Sequence, residues 1–448
     1  MEQYDAVIIG AGLAGLTCGL ELAEKGQKVL LLEAEPVVGG RTSSYIDNGM
    51  KVESGFHRYI GFYSEMPKML RKAGIQLNEI FTWEEKVEIR VRKKEKLITL
   101  GAAPLFGPKK TIMGILGNNE LLPLRDKLSL VSFFLSGLKD LITNPKKLDA
   151  CNIRDYAIKH KVSEDAFHNV IIPFSTGLYF LPPERYSAYV FFGLLAPAIK
   201  RFYKMRIGAF LGGMTDVMCQ PMAEAIEKKG GIVKTDHKVC KLHMDGQNNI
   251  TGVEMEDGRT FYGKKVVVAT TLNSAKQLLK PLFKDHPWFQ PMFELPMMSA
   301  ATLQMELKKP ALPKDITTFG PRTSLISFAE QSRSTFRHVP GRLSIIMSNP
   351  ERFLEMTPEE TLQVVVKDAK LLGMDFGEDI IDYRQINHYD DFHSLEPGCH
   401  WMRPEQVTPV EGLLLAGDYT MQPYFATMEG AVVSGQKAAR AILSAKKR

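Results

Sequence analysis

Four consecutive apolar residues, Ala6-Val7-Ile8-Ile9, lie near the start of the sequence, and a glycine-rich gap separates them from a stretch of helical spacing. A short unbroken apolar run suits a strand buried on both faces in a parallel sheet. From Leu16 to Lys25 the apolar positions Leu16, Leu20 and Ala23 share one helical face, and Gly26 stands where a helix-ending glycine belongs. Lys28 to Leu32 reads as a second strand, closed by Glu33. The same alternation returns later. Gly230-Gly231 turns into a strand, Val239 to His243 and Thr251 to Glu256 read as strands with an Asp257-Gly258 turn after them, and Lys265 to Ala269 is a buried strand. Leu413 to Gly417 is the last strand, followed by a helix from Val432 to Ile442 with small residues for close packing. Two longer apolar runs, Leu128–Leu138 and Tyr189–Ile199, fall short of the about 20 residues that a spanning helix needs.

The first strand runs directly into Gly10-Ala11-Gly12-Leu13-Ala14-Gly15. In such a turn the first glycine permits the bend, the second lets the backbone approach a pyrophosphate, and the third lets helix and strand pack closely. The phosphate charge then meets the positive end of the helix dipole. Glu33 stands close to the about 20-residue spacing expected of an acid that accepts from ribose hydroxyls. The strand before, the helix after and the acid at its place make this a dinucleotide site. Its candidate contacts are Gly10, Gly12, Leu13, Ala14, Gly15, Glu33 and Ala34.

After Glu33 comes Gly39-Gly40-Arg41-Thr42-Ser43. This resembles the second fingerprint of the flavin amine oxidoreductase superfamily, which selects FAD over a nicotinamide cofactor. The resemblance implies that Gly39, Gly40, Arg41 and Thr42 approach the cofactor, with Arg41 offsetting phosphate charge. It implies further that Gly417 and Asp418 contact the ribityl-pyrophosphate, that Met428, Glu429, Gly430 and Ala431 lie beside the isoalloxazine, and that Val239 meets the adenine through its backbone. Within the superfamily the chain is similar to the plant and cyanobacterial phytoene and ζ-carotene desaturases over most of its length. Glu53-Ser54-Gly55-Phe56-His57, Asn118 to Leu122 followed by Lys127-Leu128, Arg403-Pro404, Gly417 to Gln422, Tyr424 and Ser434-Gly435 carry that similarity. It implies an FAD-dependent desaturase or dehydrogenase that removes hydride from an apolar, isoprenoid or carotenoid-like substrate and passes electrons to a quinone or to oxygen. Gly55 and Phe56 join the cofactor contacts on this reading, and His57, Arg58 and Tyr424 are the candidate polar groups near the ring. The alternatives are an amine oxidase or protoporphyrinogen oxidase of the same superfamily, or a flavin isomerase without net oxidation. Amine oxidases carry a lysine near flavin N5 on a strand that matches Ser299 to Leu307, and that segment has no lysine.

The expected fold class is α/β. A Rossmann-type FAD-binding domain is assembled from residues 1–60, 205–278 and 395–448, and an α+β substrate domain from 61–204 and 279–394. The length of 448 residues suits several domains, and an apolar share of 44% excludes whole-chain disorder. A net charge of +6 is too mild for a nucleic-acid binder. Its basic residues change the picture in one respect. Lys109, Lys110, Arg125, Lys127, Lys139, Lys146 and Lys147 rim the first long apolar run, and Lys200, Arg201, Lys204 and Arg206 follow the second. An apolar surface rimmed by cations suits an anionic membrane surface; the alternative is an ordinary helical core with solvated ends. Five widely spaced cysteines fit a reducing, cytoplasmic setting, with peripheral attachment to the inner membrane surface, and no metal site is expected.

Overall fold

In a computed structural model, residues 3–102, 119, 122–200, 204 and 206–445 are described. Lys109, Lys110, Arg201 and most of the Asn118 to Leu122 stretch lie outside them.

A five-stranded sheet, parallel throughout, runs in the order Ile232–Lys234, Val29–Leu32, Ala6–Ile9, Val266–Val268 and Leu413–Leu415. Its strands come from three separated stretches of chain. The four strands other than Ile232–Lys234 are buried along their whole length, as their unbroken apolar runs require. The helix Leu13–Ala23 follows the first strand and ends earlier than its spacing implies, through a turn that closes at Gly26 with φ +70°. It is buried nearly all round rather than on one face. The last helix, Met428–Ala445, packs on it so closely that a Cβ at Gly435 would lie 2.3 Å from the Ala14 carbonyl. The helix Gln220–Lys228 covers another side.

A second sheet of seven strands is mainly antiparallel. Its order is Ile380–His393, Met297–Leu307, Gly341–Met347, Leu325–Glu330, Thr318–Phe319, Val87–Lys93 and Lys96–Ala102. Its central strands are buried on both faces, and their apolar side chains Leu325, Phe328, Leu343, Ile345 and Met347 form a core of their own with the helix Pro358–Leu371. A four-stranded sheet, Gln3–Tyr4, Thr260–Gly263, Ile250–Met255 and Val239–Met244, flanks the parallel sheet. The strand Ile207–Phe210 joins Tyr59–Ile60 and Phe81–Trp83 in a three-stranded sheet, not the parallel one. The helix Leu272–Phe283 runs on through residue 278, so the expected boundary there falls inside a helix.

The two long apolar runs have different fates. Tyr189–Ile199 lies in the helix Ala188–Lys200 and buries Val190, Phe191, Phe192 and Leu194. Phe133, on the helix Leu124–Thr143, packs edge-on to Phe191 and against Phe192. That second helix turns another face outward, where Leu124, Leu128, Val131, Leu135 and Ile142 are 53% to 82% exposed. Of the cations expected to rim it, Arg125, Lys139, Lys146 and Lys147 are exposed, whereas Lys127 is buried and donates to Asn119 Oδ1 at 2.8 Å. Arg206 lies over the Trp83 ring at 3.7 Å. Among the described residues no helix is long and apolar enough to cross a membrane.

Candidate functional site

The chain's ends and its middle converge on a cavity of about 1040 Å³ at the carboxyl ends of the parallel strands. Ligands of open α/β sheets bind in this position, because the loops diverge there. Gly10 bends the chain at φ +98°, outside the range a side chain tolerates. The two glycine turns are tied together where Gly39 N–H donates to the Ala11 carbonyl at 2.9 Å. Glu33 accepts from Ala11 N–H at 2.6 Å and from Glu35 N–H at 3.1 Å. Burial pushes its carboxyl up, and the backbone donors offset part of that rise.

Arg41 meets Asp418 at 2.6 Å, and its guanidinium lies 4.7 Å over the Phe392 ring. Burial works against the Asp418 carboxylate, yet Arg41, His393 and Arg403 more than offset it and hold it below the ordinary range. Asp391, also in the lining, behaves likewise: burial raises it, and His388 and Arg41 win. Asp418's neighbour Gly417 is fixed by donation from its N–H to Ser434 Oγ at 2.6 Å. His57 Nε2 donates to the Arg41 carbonyl at 2.9 Å, and its Nδ1 lies 3.7 Å from Glu53 Oε2.

Most residues singled out in the sequence line this one cavity: Gly10, Gly12, Leu13, Ala14, Glu33, Ala34, Gly39, Gly40, Arg41, Thr42, Gly55, Phe56, His57, Arg58, Val239, Gly417, Asp418, Met428 and Ala431. Gly15, Tyr424, Glu429 and Gly430 do not. Gly15 lies beneath the turn, where an added Cβ would sit 1.9 Å from the Gly10 carbonyl oxygen. Tyr424 lies beside Ser64, with its hydroxyl 3.5 Å from Ser64 Oγ. The Glu429 carboxylate is spent elsewhere. It accepts from the N–H groups of Ser64, Glu65 and Met66 at 2.6, 2.8 and 2.8 Å, which caps the helix Met66–Lys72. A carboxylate at a helix N-terminus satisfies orphan donors and the dipole together.

Sequence reasoning placed the strand Ser299 to Leu307 near the ring but named none of its side chains as contacts; Met298, Ala300 and Thr302 of the strand Met297–Leu307 line the cavity, with His388 and Phe392 from its neighbour. His388 Nδ1 pairs with Asp391 Oδ2 at 3.0 Å. The one signal for it was the density of polar and aromatic residues over His388-Tyr389-Asp390-Asp391-Phe392-His393. His393, five residues on, is wholly buried, and burial drops its imidazole to about 3.

The residues present fit FAD. An added Cβ at Gly12 would meet nothing nearer than the Gly39 carbonyl, 3.9 Å away, so the space above that turn is free for a pyrophosphate. The helix Leu13–Ala23 begins there, and Glu33, Val239 and Met428 line the same cavity.

Fold and site together define a dinucleotide-dependent oxidoreductase. The chain belongs to the family of flavin containing amine oxidoreductases, whose profile matches residues 13–443, and its cofactor is FAD. Among characterised relatives, the 15-cis-phytoene desaturase of Capsicum annuum is 29% identical, with 99% of this chain and 78% of that protein covered. The 15-cis-phytoene desaturase of Synechococcus elongatus is 26% identical over 98% of this chain and 95% of that one. The zeta-carotene desaturase of a Synechocystis strain is 25% identical over 98% and 96%. The fold is shared with an oxidoreductase from Methanosarcina mazei, at a TM-score of 0.75 and 18% identity over 99% and 100% of the two chains. Cyclohexylamine oxidase from Brevibacterium oxydans matches at 0.73 and 18% over the full length of both.

Proposed function

We propose that the protein is an FAD-dependent desaturase of an apolar, isoprenoid or carotenoid-like substrate drawn from a membrane surface. The observation that carries this reading is the cavity lining. Beside the glycine turns it includes the apolar side chains Phe180, Leu194, Ile207, Met298, Ala300 and Ile346, and Leu194 belongs to the helix Ala188–Lys200, which packs on Leu124–Thr143. Relatives named as carotenoid desaturases support the substrate class. The wall strand Met297–Leu307 carries no lysine, which weighs against amine oxidation.

In this reading residues 1–60, 205–278 and 395–448 form the FAD-binding unit, and 61–204 with 279–394 the substrate unit. FAD, when bound, supplies the hydride acceptor. The residues of the chain bind, orient and exclude water. The glycine turns and the start of the helix Leu13–Ala23 hold the phosphates, Glu33 the ribose, and Val239 the adenine end. Arg41 and Asp418 neutralise each other while bracing the two flavin-side turns. His57 is a positioning residue, because its Nε2–H is committed to the Arg41 carbonyl. Electrons leave to a quinone or to oxygen. The exposed stripe Leu124, Leu128, Val131, Leu135 and Ile142, flanked by Lys139, Lys146 and Lys147, is the face that meets an anionic bilayer.

The test is anaerobic bleaching of the bound flavin. Phytoene or ζ-carotene in liposomes is expected to bleach it, and amines and porphyrinogens are not. The reverse pattern rejects the reading, and product formed without acceptor consumption marks an isomerase.

A further inference from the structure

Among the described residues two bulky aromatics hold the left-handed backbone conformation, Phe180 at φ +68° and Phe425 at φ +50°. For a bulky side chain that conformation is strained. Packing offsets the strain at Phe425, whose ring is 2% exposed and meets Tyr189 and His400. Phe180 ends the short helix Thr176–Tyr179, at a position that favours glycine or asparagine. Pro182 and Pro183 follow and stop the helix from continuing. The turn is locked from both sides. Phe180 N–H donates to the Thr176 carbonyl at 3.0 Å, the Thr176 hydroxyl donates to the Leu181 carbonyl at 2.9 Å, and Tyr179 and Leu181 are buried. The surrounding fold thus imposes the strained conformation on Phe180.

Unlike Phe425, Phe180 is only half-buried, and it lines the cavity. Phe392 lines it too, with the ring centroids 5.4 Å apart and the planes inclined at 57°. Phe392 is itself pinned. The Arg41 guanidinium lies 4.7 Å over its ring, His388 meets it edge-on at 5.8 Å, and it pairs across the strands with Met298. A turn that had only to end a helix would carry glycine without strain, and burial in the core does not account for the phenylalanine. What accounts for it is the place of the ring in the cavity wall. The two rings offer no charge and no hydrogen-bond donor. Their inclined faces suit a flat unsaturated chain, whose π-electrons stack on them, better than a saturated one.

We propose that Phe180 is a positioning residue for the substrate: its ring, held at the cost of backbone strain, forms with Phe392 an aromatic corner against which an unsaturated hydrocarbon chain lies. The inference rests on the desaturase reading and narrows it, because the corner favours chains that already carry double bonds.

The test follows anaerobic bleaching of the bound flavin by phytoene in liposomes, in the wild-type holoenzyme and in Phe180→Tyr, Phe180→Leu, Phe180→Ala and Phe180→Gly. Melting temperature and flavin content are measured on the same preparations. Phe180→Leu keeps the apolar bulk and loses the ring, and should raise the half-saturating phytoene concentration about 3- to 10-fold. Phe180→Tyr keeps the ring and should stay within about twofold of the wild type. Phe180→Gly should melt about 1–2 °C above Phe180→Ala, because both lack the ring and only glycine takes this φ without strain. Unchanged half-saturation in Phe180→Leu, equal losses in Phe180→Leu and Phe180→Tyr, or a glycine variant that melts no higher than the alanine one overturns the proposal. So does flavin loss from Phe180→Leu with unchanged half-saturation in the fraction that keeps it, which assigns the ring to the cofactor. The desaturase reading fails separately, if phytoene does not bleach the wild-type flavin, and the positioning role then falls with it.

Discussion

Arg41 and Asp418 stand 377 positions apart in the chain and meet at 2.6 Å in the wall of the cavity. The contact joins the second glycine turn to the end of the last parallel strand, so it closes the site from both ends of the sequence. Arg41→Ala is expected to leave Asp418 buried without its partner. Breaking a buried pair from one side costs about 3–5 kcal/mol, and the partial exposure of Arg41 puts this one toward the lower end. Thermal melting should fall by several degrees and flavin should be lost on desalting. The sign with pH follows from the depressed Asp418 carboxyl: its contribution is present above about pH 3.9 and is lost as pH falls through its lower folded value.

Gly12 and Gly15 belong to one motif and should fail differently. Gly12→Asp has room in the fold but sets a carboxylate where the pyrophosphate belongs. It should purify folded and colourless. Gly15→Ala drives a methyl into the Gly10 carbonyl and should lower thermal stability before it affects cofactor content in the protein that still folds. Circular dichroism melts read beside flavin absorbance separate the two, and a fully yellow Gly12→Asp would reject the cradle.

Glu429→Ala removes the acceptor for three backbone N–H groups at the start of the helix Met66–Lys72. Unsatisfied buried donors cost about 1–3 kcal/mol each, so the expected result is a large drop in melting temperature. Glu429→Gln keeps an acceptor and should fall less. If Glu429→Ala instead sheds flavin with its melting temperature unchanged, the carboxylate acts on the cofactor rather than on the helix.

Burial holds His393 neutral down to about 3, while an unfolded chain takes up that proton near 6.5. Between those values the unfolded state binds more protons, so stability falls as pH falls from about 6.5 toward 3. The slope approaches about 1.4 kcal/mol per pH unit for this one group. His393→Leu should narrow the gap between melting temperatures at pH 8 and pH 5. An unchanged gap would show that other groups set the acid sensitivity.

The stripe on the helix Leu124–Thr143 is exposed and makes no core. Leu128→Glu/Leu135→Glu should therefore leave the melting temperature within about 1 °C, since exposed substitutions typically cost within about 0.5 kcal/mol. Flotation with anionic liposomes at low salt should be lost. If the wild type does not float, this face has some other use.

Local patterning made the cofactor half legible. Ala6–Ile9, the glycine turn and Glu33 lie within one short βαβ stretch, where each residue's role follows from its neighbours. Leu413–Leu415 and Gly417-Asp418 carried similar information. The substrate half was not legible in the same way. Met298, Ala300, Thr302 and His388 reach the cavity because two long strands pair across about ninety residues, with Ala300 opposite His388. Nothing local encodes that register. Side-chain commitments were hidden too: Glu429 sits in a motif that points toward the cofactor, and its carboxylate turns instead to the start of the helix Met66–Lys72.

The sequence by itself determined the class of fold and the dinucleotide turn, because those depend on short-range backbone geometry and on charge at a helix start, and the resemblance of the second glycine turn to the flavin family added the choice of FAD. Tertiary structure alone decided which of two similar apolar runs became core and which stayed exposed. Tyr189–Ile199 finds a partner surface in Phe133 and its neighbours, while the outer stripe of Leu124–Thr143 finds none. Burial is a property of what packs against a residue, and hydrophobicity along the chain does not specify the partner. The same holds for Arg58, whose buried pairing with Glu84 arises only when a loop, a strand end and Thr317 come together.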